Sequence, residues 1–315
     1  MDATDHPNVF FFSAPRTLSN LLVKLLGGQP KWNYGSYYFH DAYKYLKFTL
    51  GQTSLDEASP EQQKEYNDLL QSGFAAFQAD RENAKAKGEP LFVKNHAFQL
   101  TWPTRLWNGV VDEKVNSFCV AAGAGARTNP TFLPDEILSP VIPLFIIRHP
   151  ALVVESWYRT ESRALDLDLS AKSWQTLVGY DFLREVYDWF SERCPQQMGA
   201  YKGSGPFRPL IIEADDIIED GRAITKLCTL INMDPSLVPS EWEAQELPKN
   251  DWSRSYVQGL FTSTAIDKSK SAKDLKLEER YQKWRDEFGT DVAEQLIKRT
   301  EMDLSHYYYL KERRL

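Results

Sequence analysis

Asn8–Gly28 reads NVFFFSAPRTLSNLLVKLLGG, two secondary elements and the turn between them. Asn8–Ser13 is a short apolar run closed by a small polar residue, the pattern of a strand buried on both faces. After the turn Ser13-Ala14-Pro15-Arg16-Thr17, residues Leu18, Leu21, Leu22, Leu25 and Leu26 fall at i, i+3, i+4, i+7 and i+8. That spacing puts one continuous apolar stripe on a helix, and Gly27-Gly28 ends it. The chain therefore opens strand, turn, helix.

The same alternation continues outward. Ser59-Pro60-Glu61-Gln62 starts a helix, with Ser as cap and Pro at the first helical position; it runs to about Lys87, where Gly88 and Pro90 stop it. Leu91–Lys94 is a second strand, leading into Lys94-Asn95-His96. Val115–Ala122 is a weaker third, followed by the small-residue run Gly123–Ala126. Val141–Arg148 (VIPLFIIR) is the strongest strand, followed at once by His149-Pro150 and a helix to about Arg163. An amphipathic helix is expected over roughly Ser170–Arg193. Pro209–Glu213 is a fifth strand, with Asp215 or Asp216 capping the helix after it. The last hundred residues read as mostly helical and charged, looser from Leu247 to Asp274. Apolar strands alternating with helices predict one α/β domain over residues 1–315, a parallel sheet of about five strands with helices on both faces.

Composition narrows the function. Of 315 residues 42% are apolar, enough to bury a core, which excludes wholesale disorder. No run approaches the ~18 apolar residues of a membrane helix, and Met1–Asn8 has no basic start with an apolar stretch behind it; a cytoplasmic protein without membrane partner is expected. Cys119, Cys194 and Cys228 lie far apart, against a disulfide scaffold or a zinc knuckle, and no metal is expected. A net charge of −7 argues against nucleic acid. It leaves room for a small anion held by a few local groups.

Ligands of open parallel sheets bind outside the carboxyl ends of the strands. Here those ends carry Arg16, then Lys94 and His96, then Arg148. The first helix adds its free N–H groups and positive dipole end, and Thr17, Ser19 and Asn20 add short polar side chains. This set suits a phosphate compound of several charges. The wall beside it is expected from two aromatic segments. Trp32–Tyr45 contributes Tyr34, Tyr37 and Tyr38, and Trp102–Trp107 contributes its two end residues. If they line the site, the substrate is an apolar or aromatic small molecule. Asp215-Asp216-Ile217-Ile218-Glu219 looks like an aspartate-rich magnesium motif, but it follows a strand and reads as a helix start with an acidic first turn. Gly123–Gly125 lacks the third glycine and the acidic partner of a dinucleotide loop.

These residues resemble the sulfotransferases that use 3′-phosphoadenylyl sulfate (PAPS), which are built on a P-loop-like α/β fold. Pro15-Arg16-Thr17-Leu18-Ser19-Asn20 is similar to the family's 5′-phosphosulfate loop, Pro-Lys/Arg-Ser-Gly-Thr-Thr. Lys94-Asn95-His96 resembles its Lys-Thr-His. Arg148 and Ser156, eight residues apart, keep the spacing of its 3′-phosphate motif. The resemblance spans about Asn8–Glu213. It implies in-line sulfuryl transfer to a hydroxyl or amine, with His96 as base and Lys94 and Arg16 stabilising charge on the leaving phosphate. Thr17, Ser19, Asn20, Arg148 and Ser156 would complete the cofactor site. Three positions depart from the family: Leu18 stands for the loop Gly, Leu21 for the adenine-stacking Trp, and the C-terminal Arg-Lys-Gly motif has only Lys268 and Lys270 as rough counterparts. Two other readings stay open. One keeps the fold but uses His96 and Lys94 for proton-transfer chemistry without PAPS; the other is a ligand binder without catalysis.

Overall fold

The computed structural model describes residues 8–51, 53–103, 105, 128–163, 165, 167–169, 174, 177–197 and 209–315. Its centre is a five-stranded parallel sheet of order β2-β3-β1-β4-β5. The strands are β1 (Val9–Ser13), β2 (Asn33–Ser36), β3 (Leu91–His96), β4 (Ile142–Ile147) and β5 (Leu210–Glu213).

Side chains alternate across the sheet with the two-residue period of a strand, and each face meets its own helices. Phe10, Phe12, Val93, Phe145 and Ile211 face one core, where α3 (Pro60–Lys87) adds Leu70 and Phe77 and the helix Asp181–Gln197 adds Val186 and Phe190. Val9, Phe11, Phe92, Leu144 and Ile212 face the other, where α1 (Ser19–Leu26) adds Leu21, Leu22, Leu25 and Leu26. The leucine stripe read from the sequence is thus buried as one side of a layer. Helix α3 has the expected ends: Ser59 and Gln62 form a reciprocal capping box, and Gly88 closes it at φ 65°.

Four expectations change. Strand β2, NYGS, has no apolar run and pairs at the sheet edge with β3; a Cβ at Gly35 would lie 1.7 Å from the Tyr38 hydroxyl, so that ring would have to shift to admit a larger residue. Strand β3 runs on to His96, so Lys94 and His96 are strand residues rather than loop residues. The helix expected from Ser170 begins at Asp181, after a break at Gly179-Tyr180. Asp215 and Asp216 lie inside the first turn of the helix Ala214–Glu219 rather than capping it: Asp215 accepts from the Ala272 amide and Asp216 pairs with Arg314. The strand expected at Val115–Ala122, the Gly123–Ala126 run, Trp107 and Cys119 lie outside the described residues. Among the described residues no helix is long and apolar enough to cross a membrane, and no cluster of three His, Cys, Asp or Glu residues is placed to hold a metal ion.

Candidate active site

The strand order switches sides at β1, which has β3 on one side in the sheet and β4 on the other, and the crevice at its carboxyl end is where ligands of such sheets bind. A cavity of about 720 Å³ opens there. Strand register builds its floor. Ser13 is aligned with His96 on β3, so the Ser13 Oγ meets His96 Nδ1 at 2.8 Å. His96 Nε2 lies 3.3 Å from the Tyr37 hydroxyl. Lys94, on the same face of β3 and two residues back, sits behind the cavity wall; its Nζ bonds to Asn20 Oδ1 in the first turn of α1 and lies 4.6 Å from the centre of the Tyr37 ring.

Burial sets the charge of this floor. Desolvation lowers the Lys94 ammonium to about 7. His96 is pushed well below the usual imidazole range, first by burial and then by the Lys94 charge. The imidazole is therefore neutral near pH 7, the state a general base requires.

The turn after β1 holds two residues in the left-handed region, Arg16 at φ 62° and Leu18 at φ 64°. The described residues contain five non-glycine positions with positive φ, and Arg16, Leu18 and Tyr37 all line the cavity. Such conformations cost on the order of 1–2 kcal/mol each and persist where the surroundings impose them. Leu18 takes the backbone conformation that glycine adopts freely, so the turn follows a glycine-like path with leucine at that position.

Two arginines close the charged end. Arg16 donates from Nε to Ser156 Oγ at 3.0 Å and from Nη1 to the Tyr256 carbonyl at 2.9 Å. Arg148, 6% exposed, donates to the carbonyls of Arg16 (3.1 Å) and Lys270 (2.9 Å), and its buried Nε has no partner among the described residues. Neither guanidinium has a carboxylate partner among those residues. Both are lowered to about 10, by burial first and, for Arg148, by the Arg16 charge as well. Arg148 is buried and Arg16 half-buried, with Glu161, Asp215 and Glu155 acting on them only from beyond ion-pair distance, and two such adjacent cations make a place for an anion. The Tyr180 hydroxyl bonds both the amide and the carbonyl of Arg148, fixing the backbone from which it projects.

Of the residues singled out in the sequence, Arg16, Ser19, Asn20, Tyr37, His96, Arg148 and Ser156 line the cavity. Five others do not, Lys94 behind the wall among them. Thr17 is fully buried and gives its hydroxyl to the Ala14 carbonyl at 2.8 Å. Tyr34 bonds the Leu26 carbonyl on the outer edge, Tyr38 bonds Asp80 under α3, and Trp102 packs against the main core. In the order of the sequence, the aromatic wall instead comes from Tyr37, His40, Tyr43, Phe98 and Trp252. Trp252 and Tyr256 sit on the helix Asp251–Phe261, inside the stretch read as loose. A signal for it existed: Asn250 caps the helix by accepting from the Ser253 amide. The neighbouring segment carries Lys270 to the cavity and its carbonyl to Arg148, beside the anion place.

No protein-family model matches the chain. It is similar to the sulfotransferase ppzF of Metarhizium majus (strain ARSEF 297), 31% identical over 332 aligned positions that cover 97% of this chain and 96% of the relative. The sulfotransferase ppzF of Metarhizium rileyi (strain RCEF 4871) is 30% identical, with 97% and 95% covered. Among solved structures, the sulfotransferase domain of the Synechococcus PCC 7002 olefin synthase aligns with a TM-score of 0.42 at 17% identity, covering 94% of this chain and 95% of that one. The sulfotransferase domain from the curacin biosynthetic pathway aligns with 0.40 at 15%, covering 90% and 97%.

Proposed function

The chain belongs to the sulfotransferase family by its full-length relatives, and on that premise we propose that it moves a sulfuryl group from PAPS to a hydroxyl or amine of a hydrophobic small molecule. The observation that carries this is the adjacent pair Arg16 and Arg148, neither ion-paired with a carboxylate among the described residues, on the same cavity as a neutral imidazole.

The residues fit the donor at both of its charged ends. The Arg16–Asn20 turn and the start of α1 offer amides and a dipole to a 5′-phosphosulfate. Arg148, with its unpartnered Nε, and Ser156 take the 3′-phosphate. PAPS supplies a sulfuryl group already bonded to a phosphate leaving group. In the tautomer whose Nδ1–H donates to Ser13 Oγ, the His96 Nε2 that faces the Tyr37 hydroxyl accepts the proton of the attacking hydroxyl as its oxygen bonds to sulfur and the bond from sulfur to the phosphate oxygen breaks. The Tyr37 hydroxyl, 3.3 Å away, marks where that hydroxyl enters. Lys94, held by Asn20 close behind the loop, stabilises charge on the departing phosphate oxygen.

Calorimetric titration with 3′,5′-adenosine diphosphate, the product nucleotide, tests this reading. Micromolar binding is expected. Arg148→Ala should weaken it by ~1.5–3 kcal/mol, the worth of a charge-assisted hydrogen bond. No binding at millimolar nucleotide would remove PAPS from the reaction and leave proton-transfer chemistry at His96. With an acceptor in hand, His96→Ala should slow transfer by roughly 10²–10⁴-fold while nucleotide affinity stays put; equal turnover would refute the base.

A further inference from the structure

A second imidazole shares the cavity with His96. His40 starts the short helix His40–Lys44, and the centre of the Tyr37 ring lies 5.8 Å from that of His40 and 5.2 Å from that of His96. The His40 ring is stacked on Trp252, with centroids 5.9 Å apart and planes 18° apart, so its orientation is held by packing.

The protons of the surrounding network follow from one obligatory donor. The His96 amide N–H can only donate, and it meets Gln99 Oε1 at 3.1 Å. The Gln99 amide is thereby oriented with its oxygen toward His96 and its NH₂ toward His40. Gln99 Nε2 lies 3.2 Å from His40 Nδ1, which must then accept. The His40 proton is left on Nε2, for which the described residues supply no partner. Gln99 thus couples the two histidines: one amide braces the backbone of His96 and sets the tautomer of His40.

The two imidazoles consequently face the cavity with opposite roles. His96 presents a nitrogen that accepts a proton, and His40 one that donates a hydrogen bond. The cations nearest His40 are already neutralised: Lys44 pairs with Asp41 at 2.6 Å, and Lys47 with the buried Glu161 at 2.6 Å. The neighbouring walls are the rings of Tyr43, Phe98 and Trp252. A carboxylate beside His40 would meet ammonium groups that already have a carboxylate partner. A neutral carbonyl oxygen needs just the donor that His40 offers.

We propose that His40 Nε2–H is a specificity-determining donor, and that the acceptor is an aromatic or apolar alcohol or phenol carrying a neutral carbonyl group that bonds to it. This deepens the sulfotransferase reading and rests on it for the reacting hydroxyl, while the tautomer rests on Gln99 alone.

The test uses the whole protein and two phenols of one shape, 4-hydroxyacetophenone and 4-ethylphenol. The chain has five histidines, so a two-bond ¹H–¹⁵N spectrum of histidine-labelled protein can be assigned through His40→Phe. It should show His40 protonated at Nε2, with that signal moving on addition of the ketone. Binding of the ketone should exceed that of the ethyl compound about tenfold, the scale of one satisfied hydrogen bond in a buried pocket. His40→Phe should erase the difference, and His40→Gln, which keeps an N–H donor, should retain part of it. A proton on Nδ1, equal or absent binding of the two phenols, or a preference unchanged in His40→Phe overturns the proposal. Failure of 3′,5′-adenosine diphosphate to bind the same sample would overturn the sulfotransferase reading instead, and leaves the phenol result to stand or fall separately.

Discussion

Arg299 and Arg148 are almost equally buried, at 5% and 6% exposure, yet they serve opposite ends. Arg299 donates from Nε to Asp303 Oδ2 at 3.0 Å, and Asp303 also accepts the Tyr180 amide at 2.9 Å. That pair ties the C-terminal helix Thr290–Lys311 to Tyr180, whose hydroxyl in turn grips the Arg148 backbone. Among the described residues the hydrogen bonds of Arg148 and its neighbour Arg16 go to carbonyl and hydroxyl oxygens, and Arg16 also lies over the Tyr256 ring. Burial of a charge therefore does not mark the site in this molecule. The ion pair separates these arginines: the paired one builds the frame, and the two without a carboxylate partner among the described residues line the cavity that we assign to an anion.

The contrast breaks most sharply at Arg299→Ala, which strands Asp303. Stability should fall by about 3–5 kcal/mol, the usual result of removing one partner of a buried pair. The folded fraction should still bind nucleotide with unchanged affinity. Urea unfolding beside calorimetry checks both, and a loss below ~1 kcal/mol would mean the pair is no frame. Arg148→Met should do the reverse. Removing an uncompensated charge offsets its two lost carbonyl bonds, so stability should move by no more than ~1 kcal/mol while nucleotide affinity drops. A stability loss matching that of Arg299→Ala would erase the distinction between the two arginines.

The smallest effect is a proton. Folded Lys94 titrates near 7 because of its burial, whereas the unfolded chain keeps that proton up to the ordinary value of 10.5. Between these values the unfolded state binds more protons, so the contribution of Lys94 to stability rises with pH across that window. A bound phosphate favours the charged ammonium again. Nucleotide binding at pH 8 should therefore take up to one proton from solution, read as a dependence of the heat on buffer ionisation and abolished in Lys94→Met. Heats independent of buffer would place Lys94 away from the anion.

Much of the fold was legible because its signals are local. The runs behind β1, β3, β4 and β5 are continuous and apolar, as strands covered on both faces must be. The Ser59 cap and Gly88 marked both ends of α3. Strand β2 left no such trace, since an edge strand with a half-exposed pattern needs no apolar run. The helix Asp251–Phe261 has no fully buried residue, so its stripe was too faint to separate from a loop. In the site, Arg16, His96 and Arg148 stood out as cations or titratable groups at strand ends. His40, Gln99 and Trp252 did not, because a helix start, a buried amide and a distant indole share no motif.

Local sequence suffices for the alternation of strands and helices and for the order of the charged loop, the Lys94/His96 pair and the Arg148/Ser156 pair. Periodicity, capping and spacing are properties of neighbours along the chain. Only the tertiary structure decided which cations stay unpaired, which tyrosine of three reaches the cavity, and that Leu18 adopts the conformation of a glycine. Those outcomes depend on segments far apart in sequence, as where Arg16 donates to the carbonyl of Tyr256, 240 residues away. Charge compensation and cavity closure exist only once such segments meet.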